Sequence, residues 1–253
     1  MEHIIQNLLQ AKTHIGNKVW NRTSASFLLG FRKFPHMQKY AVIDLDKTLI
    51  GLQNALHFFD TFLAVKKRNT KPFHLLIVNT SVDTSLQLNF KKIIAHIHPE
   101  NATEKQPIIS YVDDTWVGGT LTNWKAVSKS ISIYSKFKNR FHSFLQKHTI
   151  HFSIYQKYDK RYKGIENFAH SLPDFILVIN PNENAILLRE ASLCSIPVIA
   201  IISSDINKHL LKHIQYSIPG NNKSIKFIYI VLQFFFGVLK KNHATLQKSA
   251  PIA

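Results

Sequence analysis

Asp113 and Asp114 follow the apolar run Ile108-Ile109-Ser110-Tyr111-Val112. Paired carboxylates at the end of a strand are the residue types that general acid–base chemistry uses. They also lie just ahead of Trp116-Val117-Gly118-Gly119-Thr120-Leu121-Thr122-Asn123-Trp124, where turn and helix-cap roles claim short acidic side chains. With 15 Asp and Glu in 253 residues, paired-carboxylate chemistry is poorly supplied. Of 14 histidines, only His96-Ile97-His98 and His148-Thr149-Ile150-His151 place two close together. Neither pair has a nearby cysteine or an H-E-x-x-H setting, so no metal site is expected. No G-x-G-x-x-G and no G-x-x-x-x-G-K-[ST] occurs, and Gly118-Gly119 alone cradles no phosphate, so no cofactor is expected. The one cysteine, Cys194, excludes an internal disulfide framework and reads as a small core residue.

The chemistry that the chain does supply is cationic. It carries 32 Lys and Arg against 15 Asp and Glu, a formal charge of +17. Such an excess points to a polyanionic partner, nucleic acid or an anionic membrane face. Lys18, Arg22, Arg32 and Lys33 are interleaved with Trp20, Phe27, Phe31 and Phe34, a mixture in which cations meet phosphates and rings stack on bases. The same rings can instead anchor an extended arm on the core. From Asn123 to His170 ten Lys and Arg face only Asp159 and Glu166. There Val127, Ile131, Tyr134, Phe137, Phe141, Phe144 and Leu145 step by three or four, which predicts a helix with one apolar stripe and one basic face. A shorter helix over about Tyr158–His170 would complete a helical hairpin. The RNA-contact candidates are Lys18, Arg22, Arg32, Lys33, Lys125, Lys129, Lys136, Lys138 and Arg140.

The elements that must position these residues follow from apolar patterning. Residues 3–12 predict a short amphipathic helix, and 13–40 an irregular basic arm. Ala41-Val42-Ile43, His74 to Asn79, Ile108 to Val112, Asp174 to Ile179, Ile196 to Ile202 and Tyr216-Ser217-Ile218 read as strands. Helices are expected from Asp44 to about Lys67, from Thr80 or Ser81 to about His98, from Ala185 to Cys194, and from Ser224 to Lys241. Strand–helix alternation, with runs apolar on both faces, predicts an α/β fold: a parallel sheet flanked by helices, with a protruding α-helical hairpin. The expected division is 1–40 for the arm, 41–122 with 171–241 for the sheet, 123–170 for the hairpin and 242–253 for a tail. In the nonapeptide, Gly118 and Gly119 permit positive φ, Thr122 or Asn123 can cap the next helix, and Trp124 reads as core rather than base-stacking. No signal peptide is expected from residues 1–10. The longest apolar run, Phe227 to Leu239, is short of the ~20 residues that span a bilayer, so no membrane insertion is expected.

The nonapeptide resembles the W-x-G-G-x-L-T-N-W signature of the bacterial-type small-subunit ribosomal protein two family. Five further stretches resemble that family in the same order: Leu8 to Asn17, Ile43-Asp44-Leu45-Asp46-Lys47-Thr48, Leu172-Pro173-Asp174 to Ile179, Arg189-Glu190-Ala191 with Ile196 to Ile201, and Ile218-Pro219-Gly220-Asn221. The family's Thr-Asn-x-Asp-Pro stands here as Ser203-Ser204-Asp205-Ile206, its His after Gly16 is Asn17, and 206–215 has no clear counterpart. The resemblance implies a three-layer flavodoxin-like or Rossmann-like sheet. It implies structural motif roles for Trp116, Gly118, Gly119, Thr122, Asn123, Trp124, Pro219 and Gly220. It also implies a structural, non-catalytic place in the small ribosomal subunit, with small-subunit ribosomal RNA and neighbouring ribosomal proteins as partners and no small-molecule substrate. The alternative is a doubly wound α/β enzyme binding an anionic nucleotide. Richness in Ile, Phe, Lys and Asn, whose codons are AT-rich, and an expected absence of a presequence point to a mitochondrial, organelle-encoded member; a plastid or a bacterial cytoplasm is the alternative.

Overall fold

A computed structural model describes residues 2–33, 39–66, 72–80, 92, 107–147 and 153–249. The expected helix from Thr80 or Ser81 to His98 lies outside the described residues, as do the two close histidine pairs.

Five strands form one parallel sheet: β3 (His74–Val78), β4 (Ile108–Val112), β5 (Phe175–Val178), β6 (Val198–Ile202) and β7 (Tyr216–Pro219). Their order is β4-β3-β5-β6-β7, and every neighbouring pair is parallel. That order reverses direction between β3 and β5, a topological switch point of the doubly wound type. The three central strands are buried at every position, which explains why their sequences run apolar without alternation.

The period of two sorts each strand onto two cores. Leu75, Ile77, Phe175, Leu177, Ile199 and Ile201 point to one face, against α2 (Leu45–Lys66) and the C-terminal helix α7 (Ile225–Ser249). Leu76, Val78, Ile176, Val178, Val198 and Ala200 point to the other, against α5 (Ala185–Leu193) and the start of α3 (Trp124–Lys147). The result is three layers. On the first face Phe59 contributes ring contacts to Phe175 and Phe235 at 4.9 and 5.1 Å between centroids. Its complete burial is worth roughly 2–3 kcal/mol. The amphipathic α1 (Glu2–Gln10) docks Leu8 on this same face. No helix among the described residues is long and apolar enough to cross a membrane.

Four expectations need correction. Ala41-Val42-Ile43 is a strand, but not of the parallel sheet. β2 (Lys39–Ile43) pairs antiparallel with β1 (Leu28–Lys33) in a two-stranded ribbon of its own. Its alternating burial, unlike that of β3, fits such a half-exposed ribbon. The arm is therefore not irregular throughout: a 3-10 turn at Arg22–Phe27 leads into β1. The second helix of the basic segment, α4 (Ser153–Tyr162), is cut short because Gly164 takes φ 83°, and a 3-10 turn follows at Glu166–Ala169. The C-terminal helix continues past Lys241 to Ser249, into the expected tail. The stretch 206–215 holds a single helical turn, α6 (Lys208–Leu211), which the Asn207 side chain caps by accepting the His209 N–H at 3.2 Å.

Candidate nucleic-acid interface

The loop between β4 and α3 is organised by a residue that the sequence did not single out. Glu190, on α5, is buried, and its carboxylate accepts the backbone N–H of Gly119 at 2.7 Å and of Leu121 at 2.9 Å. The Thr122 N–H and the Trp116 indole N–H reach it more loosely, at 3.4 and 3.5 Å. A buried carboxylate needs such donors to offset its lost hydration. Only Gly119 uses positive φ, at 85°; Gly118 does not. Thr122 and Asn123 do not cap α3 with their side chains among the described residues. Instead the Asn123 carbonyl accepts from Ala126 and Val127 at 3.1 and 3.2 Å, and its N–H returns to Gly119. The Trp124 indole donates to the Phe168 carbonyl at 2.7 Å, fixing the first turn of α3 to the 3-10 turn. The signal for Glu190 was present: it is an acid on the same helix face as Leu187 and Ala191, both fully buried.

Beyond that anchor, α3 separates its charges by angle. At about 100° per residue, Lys125, Lys129, Lys136 and Arg140 fall within a stripe roughly 60° wide. All four are exposed. Lys138 falls on the opposite side, where it pairs with Glu166. The apolar stripe is buried at Ile131 and Tyr134, and the Tyr134 hydroxyl donates to Asp159 at 2.6 Å. Farther along, Phe137 is already 38% exposed.

Lys18, Arg22, Arg32 and Lys33 are exposed on another element, the arm and β1. The arm's backbone is locked to the loop after β6. Ser204 is completely buried; its hydroxyl accepts the Asn17 N–H at 2.9 Å and donates to the Val19 carbonyl at 3.1 Å. The Ser204 carbonyl accepts the Asn21 N–H at 2.9 Å and the Ser24 hydroxyl at 2.8 Å. The Asn21 amide reaches the carbonyls of Asp205 and Ile206. The departure Ser203-Ser204-Asp205-Ile206 thus still holds the arm. The nine candidate cations form two groups on two elements, with Lys138 apart from both.

At the C-terminal motif, Pro219 ends β7 opposite Ile202. A Cβ on Gly220 would meet the Phe227 ring at 2.3 Å, so only glycine lets α7 start this close to the sheet.

At the places where catalysis would sit, several polar side chains pair with one another. The crevice between the ends of β3 and β5 is crossed by the chain's own amides: Asn180 donates to Asn79 at 3.0 Å, Asn222 to Asn180 at 3.0 Å, and Asn184 to the Thr80 hydroxyl at 2.8 Å. Asp113 is buried and Asp114 pairs with Lys160 at 3.2 Å. His74 is wholly buried, with Nε2 2.7 Å from the Ser110 hydroxyl and Nδ1 3.2 Å from that of Ser171. Burial pushes its pKa down to about 4 against the pull of Asp174. Burial also raises the Cys194 thiol, with Glu190 adding to the effect. Among the described residues no cluster of three or more His, Cys, Asp or Glu can hold a metal ion.

Comparison with known proteins agrees with this geometry. The small ribosomal subunit protein uS2m of Marchantia polymorpha is 32% identical over 230 residues, covering 90% of this chain and 86% of the relative. The uS2 of Anaplasma marginale is 32% identical over 234 residues, covering 90% of this chain but 64% of that protein. The uS2 of Acinetobacter baylyi is 30% identical over 233 residues, covering 88% and 82%. The family model for ribosomal protein S2 matches residues 8–241, from α1 through the sheet to α7, so the buried Glu190–Gly119 anchor and the cationic α3 belong to one continuous match and the chain is a member of the ribosomal protein S2 family.

Proposed function

We propose that this chain is a structural constituent of a mitochondrial small ribosomal subunit, where it binds ribosomal RNA and neighbouring ribosomal proteins and catalyses nothing. The observation that carries the reading is the α3 stripe. Lys125, Lys129, Lys136 and Arg140 present four exposed cations along about 22 Å of one helix face. A spacing of this kind suits successive phosphates and gives affinity without chemistry. Lys18, Arg22, Arg32 and Lys33 supply a second contact on the arm. Lys138, compensated by Glu166, acts in holding α3 to the 3-10 turn.

The organellar part rests on the likeness to uS2m of Marchantia polymorpha and on richness in Ile, Phe, Lys and Asn, whose codons are AT-rich; a plastid is an alternative, and the likeness to bacterial uS2 proteins keeps a bacterial ribosome as another. The enzyme reading is weakened by the amide side chains that pair across the crevice at the sheet's switch point. Sedimentation of a native lysate at low and then high salt, probing for this chain, tests the role. Co-migration with the small subunit at high salt is expected, and enrichment in purified mitochondria is expected with it. A chain that stays at the top of the gradient at both salts overturns the reading.

A further inference from the structure

The ribbon carries an apolar surface that its own fold does not cover. Trp20 is 46% exposed and Phe31 39%, with ring centroids 5.0 Å apart and planes tilted by 54°. Leu29, the unpaired residue where the register of β1 and β2 shifts, is 70% exposed. The ammonium of Lys39 lies 4.8 Å from the centre of the Phe31 ring. The backbone positions that carry both rings are pinned. Both chain neighbours of Trp20 are tied to Ser204, Val19 through its carbonyl and Asn21 through its N–H. Phe31 is fixed by its pairing with Ala41. The backbone under the indole is thus fixed, with the ring against Phe31 and half open to water, and that preorganisation lowers the cost of binding.

Charge selects the occupant. From His3 to Ile43 the chain has six Lys and Arg and no acid at all. An acidic protein surface would favour the same exclusion, but proteins in general would not, whereas every nucleic acid carries phosphates. Ring faces select further. In an A-form duplex the base faces are hidden in the stack, and only unpaired nucleotides can lay a base on an aromatic side chain. We infer that Trp20 and Phe31, with Lys39 beside them, form a stacking platform for unpaired nucleotides of single-stranded RNA. The inference deepens the RNA-binding reading and rests on it. It assigns the ribbon to unpaired bases and leaves α3 to the phosphates of folded RNA.

The test uses the full chain, a short oligouridylate and an RNA duplex of the same length. Titration of the wild-type protein with oligouridylate should quench tryptophan fluorescence. Trp20→Phe should abolish most of that quenching while keeping affinity within about threefold, since a phenyl ring still stacks. Trp20→Leu with Phe31→Leu should weaken oligouridylate binding about tenfold or more, the range of one or two lost stacks. The salt slope should not change, because no phosphate contact is removed. Duplex affinity should be the same in wild type and double variant. Equal oligouridylate binding by wild type and the double-leucine variant overturns the inference, as does a parallel loss for duplex. If the wild-type chain binds neither RNA at low salt, the RNA-binding reading falls, and the inference with it.

Discussion

Glu190 and Gly119, 71 residues apart in sequence, meet at 2.7 Å, carboxylate oxygen to backbone N–H. One side chain on α5 thereby sets the loop from which α3 departs. Removing it strands the donors of Gly119 and Leu121 in a water-poor site. Glu190→Ala should cost about 3 kcal/mol in urea unfolding, while Glu190→Gln, which keeps one acceptor, should cost about 1. A Glu190→Gln variant as stable as the wild type would mean that the second acceptor and the charge contribute nothing.

The glycines of this region should differ in tolerance for stated reasons. A Cβ on Gly118 meets only ordinary contacts, 3.5 Å from Ile186 and 3.9 Å from Glu190. Gly119 has room but needs φ 85°. Gly164 needs φ 83°, and its Cβ would lie 2.3 Å from the Tyr111 carbonyl oxygen. Alanine should therefore cost under about 0.5 kcal/mol at 118, about 1 at 119, and more than about 2 at 164. Thermal melts of the three variants give the ranking.

His74 makes stability depend on pH with a definite sign. Its pKa falls from 6.5 to about 4 on folding, chiefly through burial. Between those values the unfolded chain binds more protons, so stability rises with pH. The contribution is complete above about 6.5 and lost as pH falls through 4, at most about 3 kcal/mol. Urea midpoints should fall between pH 7 and pH 4, and His74→Gln should flatten that segment of the curve.

The α3 stripe predicts a salt dependence. Replacing Lys125, Lys129, Lys136 and Arg140 with Gln should lower the log–log salt slope of RNA binding by about 3 units, at somewhat under one per lost phosphate contact. Lys138→Gln should leave the slope unchanged and weaken the hold of α3 on Glu166. A quadruple variant with an unaltered slope would remove this face from the interface.

The parallel sheet was legible because its central strands are buried on both faces and so carry uninterrupted apolar runs, as in Leu75-Leu76-Ile77-Val78. The start of α3 was legible through its Gly-Gly loop and basic periodicity. Of the ribbon only β2 was, since in β1 Leu29, Phe31 and Arg32 are all exposed and leave no hydrophobic alternation to read. Glu190 and Ser204 were also missed as organising residues. Each bonds partners far away in sequence, and a single buried acid or serine has no periodic signature. Lys138 counts with its neighbours in composition and leaves them only when helix angle is considered.

The Ser204 lock also fixes an order of events. Asn17 and Ser24 wait for a residue 187 and 180 positions ahead of them. At typical synthesis rates, roughly 5–20 residues per second, that delay is on the order of ten to forty seconds. During it the acid-free arm has left the ribosome that makes it, with none of its Ser204 bonds yet possible. A nascent cationic strand attracts polyanions. Its final fastening must therefore compete with whatever it has already met, and release from such early encounters becomes part of how the chain matures.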